Sequence, residues 1–217
     1  MQIRNRIFEQ SPYEGFDVNA YTFSDRTESH PIFRHVISQI KPSLLIEVGT
    51  WKGASAVHMA GLCKEYGVDN AEIVCVDTWL GSSEMWADKT PNGYWGFHSL
   101  GLKNGYPTIY YQFLANVVLK GVSDIITPFP ISSSGAAVFL KALGIKADVI
   151  YIDGGHSYQE AKADIEAYWP LLRVGGVMIG DDYHEDAPGV IRAVTEFGEL
   201  IDRNPVIHHR KWLMVKP

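Results

Sequence analysis

The sequence predicts an α/β fold, a doubly wound and mostly parallel sheet with helices on both faces. Two observations carry this. From Leu44 onward, short apolar runs with strand character alternate with segments of helical periodicity, the pattern of a parallel sheet covered on both sides. The last two apolar segments, Pro205 to His209 and Trp212 to Val215, are joined only by Arg210-Lys211. They read as a closing hairpin that places one antiparallel strand in the sheet. At 217 residues the chain is expected to form one domain.

In chain order, residues 1–30 mix Pro, Tyr, Gly, Asn and charges without a period and read as an N-terminal arm or cap. Ile32, Phe33, Val36, Ile37 and Ile40 recur at helical spacing, and Pro42 ends that helix. Leu44 to Val48 is the first strand, Gly53 to Glu65 a helix, and Glu72 to Asp77 the second strand. Residues 80–107 are irregular, with Gly, Ser, Asn and Pro among Trp86, Tyr94, Trp95, Phe97 and Tyr106. So long a connection is expected to be a substrate lid, the alternative being a surface excursion packed on its own aromatics. Then come a helix (Ile109 to Lys120), a strand (Asp124 to Phe129), a helix (Ser133 to Leu143) and a strand (Ala147 to Asp153). The next helix, Ser157 to Trp169, opens with Ser157 and Glu160 in capping-box spacing and stops before Pro170. Gly175-Gly176 turns into the strand Val177 to Gly180, followed by a helix from Pro188 to Phe197 and the hairpin.

Composition narrows the function classes. The formal net charge is -6, which gives no general electrostatic reason to bind nucleic acid or anionic membrane. Two cysteines, Cys63 and Cys75, supply neither a disulfide framework nor a zinc cluster. No signal-peptide apolar region follows Arg4 and Arg6, and no run approaches the roughly 18 apolar residues of a membrane span. The expectation is a cytoplasmic protein acting on a small molecule, with homo-oligomerisation left open.

Two clusters of chemistry fall at strand ends. The first strand ends Glu47-Val48-Gly49-Thr50-Trp51-Lys52-Gly53. Glycines at a strand-to-helix turn let backbone amides approach a ligand closely. Glu47 stands where a dinucleotide fingerprint needs glycine, and no Lys-Ser/Thr follows Gly53, so neither NAD nor a P-loop phosphate is served. A carboxylate there suits a cationic ligand, and Asp77 is placed to accept ribose hydroxyls. At the other end of the chain, Asp153 closes the fourth strand, in Ile152-Asp153-Gly154-Gly155-His156-Ser157-Tyr158, and Asp181-Asp182 close the fifth. Carboxylates converging in one crevice repel unless a cation sits between them. An oxygen-only donor set favours a hard ion such as Mg²⁺. The alternatives are that the aspartates cap turns and that His156 is a polar residue near a helix start.

With Glu-x-Gly-x-x-x-Gly followed by Asp77, the sequence resembles the class I S-adenosylmethionine-dependent methyltransferases, with their Rossmann-like, seven-stranded sheet and antiparallel last hairpin strand. The resemblance implies a cofactor-binding set of Glu47, Gly49, Thr50, Gly53, Asp77, Thr78, Ile131, Ser132 and Asp153. Gly49 and its neighbours then line the methionine part, Asp77 holds the ribose, and Ile131 and Ser132 lie near adenine, with Ser133 and Ser134 equivalent candidates.

The Ile-Asp-Gly-Gly-His-Ser-Tyr and Gly-Gly-Val-Met-Ile-Gly-Asp-Asp stretches resemble the divalent-metal-dependent O-methyltransferases, the catechol type and more closely the macrocin-like sugar methyltransferases. That resemblance implies Asp153, Asp181 and Asp182 as metal ligands. It puts His156 in the general-base position, where the catechol type has Lys; the catechol type also has Asn where this chain has Asp182. The implied activity is S-adenosylmethionine- and Mg²⁺-dependent methyl transfer to a hydroxyl of a small molecule, a sugar or a vicinal diol or catechol, with His156 and Asp153 catalytic. Trp79, Trp86, Trp95 and Tyr183 are candidate walls for the acceptor, or plain packing. Two other readings stand beside it: a non-catalytic binding module, and a metal-independent methyltransferase.

Overall fold

Parallel strands buried on both faces need a crossover helix between each pair, and this chain supplies one each time. The computed structural model describes residues 2–24, 29–90 and 96–217. After a single helical turn, α1 (Arg4–Ile7), and α2 (Pro31–Ile40), it builds β1 (Leu44–Val48), α3 (Ala54–Glu65), β2 (Glu72–Asp77) and α4 (Ser83–Ala87). Next are α5 (Ile109–Leu119), β3 (Ile126–Pro130), α6 (Ser133–Ala142), β4 (Ala147–Ile152) and α7 (Tyr158–Tyr168). The chain ends with β5 (Leu172–Gly180), α8 (Pro188–Leu200), β6 (Val206–His208) and β7 (Lys211–Val215). The seven strands lie in the order β3-β2-β1-β4-β5-β7-β6. β1 to β5 pair in parallel, and β7 runs antiparallel to both β5 and β6, the sheet the sequence predicts.

Alternate residues along each strand feed two cores. Leu45, Ile73, Cys75, Val149, Tyr151, Val177 and Ile179 pack with α2, α3 and α5. Ile46, Val48, Val74, Val76, Ile150, Ile152 and Met178 pack with α6, α7 and α8. The period of two divides each apolar run between the faces, so the strands read as continuous apolar segments. α2 is fixed at both ends: His30 accepts the Ile32 N–H at its start, and Lys41 turns left-handed (φ 47°) just before Pro42.

Several boundaries differ from the sequence reading. β5 begins at Leu172, ahead of the predicted turn at Gly175-Gly176, because Gly175 takes a left-handed φ of 72° inside the strand. The β4–β5 register shifts there, between Ala147 and Val149, so the glycines mark an irregularity within a strand. β3 starts two residues later than predicted, at Ile126.

The described part of the segment after β2 is anchored at several points. Met85 of α4 and Leu100 are buried, and Trp79 lies against Tyr110 and Phe113 (ring centroids 5.0 and 4.9 Å). The N-terminal arm begins at the end of the sheet opposite the glycine turn. The Ile3 and Arg4 N–H groups donate to Glu72 (2.7 and 2.8 Å), at the start of β2. Arg4 also donates to the carbonyls of Ser123 and Ile126. The arm then follows α5, where Asn116 and Gln112 bind Ser24 and Thr22.

Candidate active site

The parallel strands β1, β2, β4 and β5 end on the same edge, and the order reverses between β1 and β4, which opens a crevice there. A cavity of about 860 Å³ occupies it. Its walls carry Gly49, Thr50, Asp77, Thr78, Asp153, His156, Asp181 and Asp182. Eight predicted site residues thus meet in one place, from four strand ends.

The glycine turn is held from below and from the side. Gly49 has φ 81°, and a Cβ on it would overlap the Asp153 carbonyl, so β1 and the β4 end approach as only glycine permits. The Thr50 and Trp51 N–H groups donate to Asp77 Oδ2 (2.9 Å each), and the Trp79 N–H donates to Oδ1 (2.8 Å). A carboxylate has about four acceptor sites. Asp77 therefore clamps the turn with three N–H donors, keeps acceptor capacity, and lines the cavity.

Glu47 is not on the cavity wall. It is fully buried and accepts hydrogen bonds from the Thr50 hydroxyl (3.1 Å) and the Ser55 hydroxyl. Burial pushes its carboxyl up to about 8, ahead of the opposing hydrogen bonds. A neutral acid that ties β1 to the first turn of α3 replaces the cation-binding carboxylate the sequence suggested. Gly53 also stands behind the wall, as the N-cap of α3 with φ 92°. Ile131 and Ser132 lie outside the cavity lining: Ser132 caps α6 by accepting the Gly135 N–H (3.2 Å), and Ile131 packs on the α6–α8 core.

The acidic end is arranged differently from the expected three-aspartate set. Asp153, His156 and Asp182 each offer a ligand atom within 4.8 Å of the others. His156 Nε2 lies 2.9 Å from Asp182 Oδ2. Asp181 turns away to Lys211 and the Tyr151 hydroxyl (3.0 Å). Both aspartates follow the end of β5 and line the cavity, but Asp182 takes a left-handed φ of 58° and turns its carboxylate to His156 while Asp181 keeps Lys211.

Burial, then the Asp181 charge, raises the Asp153 carboxyl above the usual range. For Asp182 burial also acts upward, but hydrogen bonds from His156, His184 and Arg210 outweigh it and hold the carboxyl low. The hydrogen bond to Asp182 lifts His156 to about 9. The imidazole is therefore charged at neutral pH and accepts no proton while Asp182 is its partner.

Sequence reasoning missed several wall residues. His30 from the arm, Ser82 at the N-cap and Glu84 in the first turn of α4, and His209, Arg210 and Lys211 from the hairpin also line the cavity. His30 stacks edge-on against His208 and His209 (5.2 and 5.9 Å). Tyr151, buried behind the wall, bonds Asp153 through its hydroxyl, and its place two residues before Asp153 on the same strand face signals that contact. Of the proposed aromatic walls, Trp79 is 2% exposed and donates to the Trp51 carbonyl, which makes it packing. Trp86 is exposed but bonds the Leu80 carbonyl, Tyr183 packs on the α8 side, and Trp95 lies outside the described residues.

A family profile described as a methyltransferase domain matches residues 46–183, from β1 through the Asp181-Asp182-Tyr183 end of β5. The chain belongs to this methyltransferase family. No curated protein sequence matches it. Among solved structures it is similar to the O-methyltransferase NovP, at 18% identity and a TM-score of 0.61, over 85% of this chain and 78% of that one. It is similar to the calicheamicin methyltransferase CalS11 at 17% identity and TM-score 0.61, over 85% and 76% of the two chains. A Bacillus cereus O-methyltransferase in complex with SAH matches over 96% and 91%, at 15% identity and TM-score 0.58. At these identities the likeness concerns the fold. No helix among the described residues is long and apolar enough to cross a membrane.

Proposed function

We propose that the protein transfers the methyl group of S-adenosylmethionine to a hydroxyl of a small acceptor, with a divalent cation held at Asp153 and Asp182. The observation that carries this reading is that Asp153, His156 and Asp182 converge on the same cavity wall as Gly49 and Asp77. The structural neighbours named as O-methyltransferases, one of them a complex with SAH, support it.

The residues fit both groups. The Gly49 turn and the Asp77 carboxylate line one cavity wall, and a carboxylate is the acceptor that ribose hydroxyls need. Asp153 is a carboxyl that burial and neighbouring carboxylates push toward its neutral form, the state a divalent cation reverses. S-adenosylmethionine supplies an electrophilic methyl, and a divalent cation supplies Lewis acidity that lowers the pKa of a hydroxyl. The chain does the rest. The Gly49 turn and Asp77 fix the cofactor end, and Asp153 and Asp182 fix the acceptor end, so that most of the acceleration comes from alignment. His156 takes the hydroxyl proton once Asp182 no longer holds the imidazole in its charged form. Two adjacent hydroxyls chelate one ion best, which makes a sugar, vicinal diol or catechol the acceptor class.

A second reading, His156 as a third ligand, is favoured by its place within the 4.8 Å cluster. The test of the main proposal is transfer to a vicinal diol with EDTA and with Mg²⁺. Activity abolished by EDTA and restored by Mg²⁺, and lost in Asp182→Ala, is expected. Full activity in EDTA makes the enzyme metal-independent, and cofactor binding without transfer makes it a binding module.

A further inference from the structure

One charged group at this site has no part in the reading above. Lys211 opens β7 and is 3% exposed, and its ammonium ends among the acidic residues. It pairs with Asp181 and donates to the Tyr151 hydroxyl (2.9 Å). That hydroxyl in turn meets Asp153 Oδ2 (2.9 Å) and Asp181 Oδ2 (3.0 Å). The ammonium also lies against the rings of Phe33 and Tyr151, 5.2 and 5.0 Å from their centroids. An ammonium is expensive to bury unless a carboxylate pairs with it, and here its partner is the neighbour of a proposed cation ligand.

We propose that Lys211 sets the cation affinity of the site, acting as an internal counter-charge on Asp181 that weakens the hold of Asp153 and Asp182 on a divalent ion. The inference rests on the reading that this site takes such an ion. Two positive charges then share one acidic floor, and each lowers the site's affinity for the other; in a partly desolvated crevice that coupling is strong. The consequence for the protein is an acidic floor that stays folded with no ion bound and releases its ion readily. Lys211 is thus a positioning residue acting through Asp181 and Tyr151.

The experiment is calorimetric titration with MgCl₂ alone, together with melting temperatures in EDTA and in saturating Mg²⁺, on the full chain. Lys211→Met removes the charge. Lys211→Gln removes it while keeping hydrogen bonds to Asp181 and Tyr151, and Lys211→Arg retains it. A single charge this close shifts an ionic equilibrium by about tenfold or more. Both charge-free variants should therefore bind Mg²⁺ about tenfold more tightly than wild type. They should also melt lower in EDTA and gain more degrees from Mg²⁺, with Lys211→Arg near wild type. A charge-free variant that folds only with Mg²⁺ present is the same result in its extreme form. Unchanged or weaker Mg²⁺ binding in the charge-free variants, or an equal melting loss with and without Mg²⁺, overturns the proposal and leaves Lys211 a structural pair. Wild type that binds no Mg²⁺ removes the cation reading itself, and this inference with it.

Discussion

Asp77, Glu47 and His156 show how single side chains divide the work at the strand ends. Asp77 already satisfies three backbone N–H groups, so Asp77→Ala costs twice, in an undone turn and a lost ribose acceptor. Its S-adenosylmethionine affinity should fall by about 1–3 kcal/mol, read by calorimetry; unchanged affinity removes Asp77 from the site. Glu47 predicts a pH dependence. Its carboxyl is raised to about 8 from 4.5 by burial, so the unfolded chain loses this proton first. The stabilising contribution is fully present below about pH 4.5 and is lost as pH rises through about 8, by up to about 1.4 kcal/mol per pH unit. Glu47→Gln should flatten the fall in melting temperature across that window, and parallel slopes in the two proteins would show that Glu47 ionises in place. For His156, Mg²⁺ titration of activity in His156→Ala separates its two roles. A plateau lowered about 10²- to 10⁴-fold at an unchanged midpoint marks the base, and a shifted midpoint marks the ligand. Because the hydrogen bond to Asp182 raises its pKa to about 9, NMR titration in EDTA should find His156 charged until pH passes about 9, with a lower midpoint in Asp182→Ala; an equal midpoint in the two proteins would remove Asp182 as the cause.

At the scale of elements, what matters is how a helix start presents the residue before it. α7 opens with a complete capping box, in which Ser157 Oγ accepts the Glu160 N–H (3.3 Å) and the Ser157 N–H donates to Glu160 (3.3 Å). His156 immediately precedes this cap, so the box fixes the chain just where the imidazole leaves for Asp182. Ser157→Ala should destabilise the protein by about 1 kcal/mol in chemical denaturation. A loss indistinguishable from zero means that the cap does not form in solution. The β1–α3 turn is held differently, by Asp77 accepting the Thr50 and Trp51 N–H groups and by Glu47 beneath it accepting the Thr50 and Ser55 hydroxyls.

The whole molecule separates stability from chemistry along the strand direction. The arm anchors at the N-terminal ends of β2 and β3, through Ile3, Arg4 and Tyr13, while the cavity opens at the C-terminal ends. Removing residues 1–13 strands the buried Glu72 carboxylate without its N–H donors, a loss of about 3 kcal/mol or more. Melting temperature should fall clearly while S-adenosylmethionine affinity, measured at low temperature, stays near wild type. Equal loss of both would tie the arm to the cofactor site. We propose that the later part of the arm, which delivers His30 to the cavity wall, and the segment after β2, which delivers Ser82 and Glu84, shape acceptor choice.

The sequence by itself determined the alternation of strands and helices, the closing hairpin and the edge on which the chemistry gathers. These are local properties: apolar runs set strands, helical periods set crossovers, and parallel strands necessarily end together, so Asp77, Asp153 and Asp182 had to meet at one edge. Only the tertiary structure decided which polar group faces which. Asp181 and Asp182 are neighbours in the chain, but one turns to Lys211 and the other to His156. Lys211 finds Asp181 because β7 inserts antiparallel beside β5, with Trp212 opposite Gly180. Glu47 reads as a ligand group in its motif, yet the first turn of α3 closes over it and makes it a buried strut. A chain pattern records whether a residue is buried and on which face of its own element; its partner is fixed by strand order and register, which depend on every crossover at once.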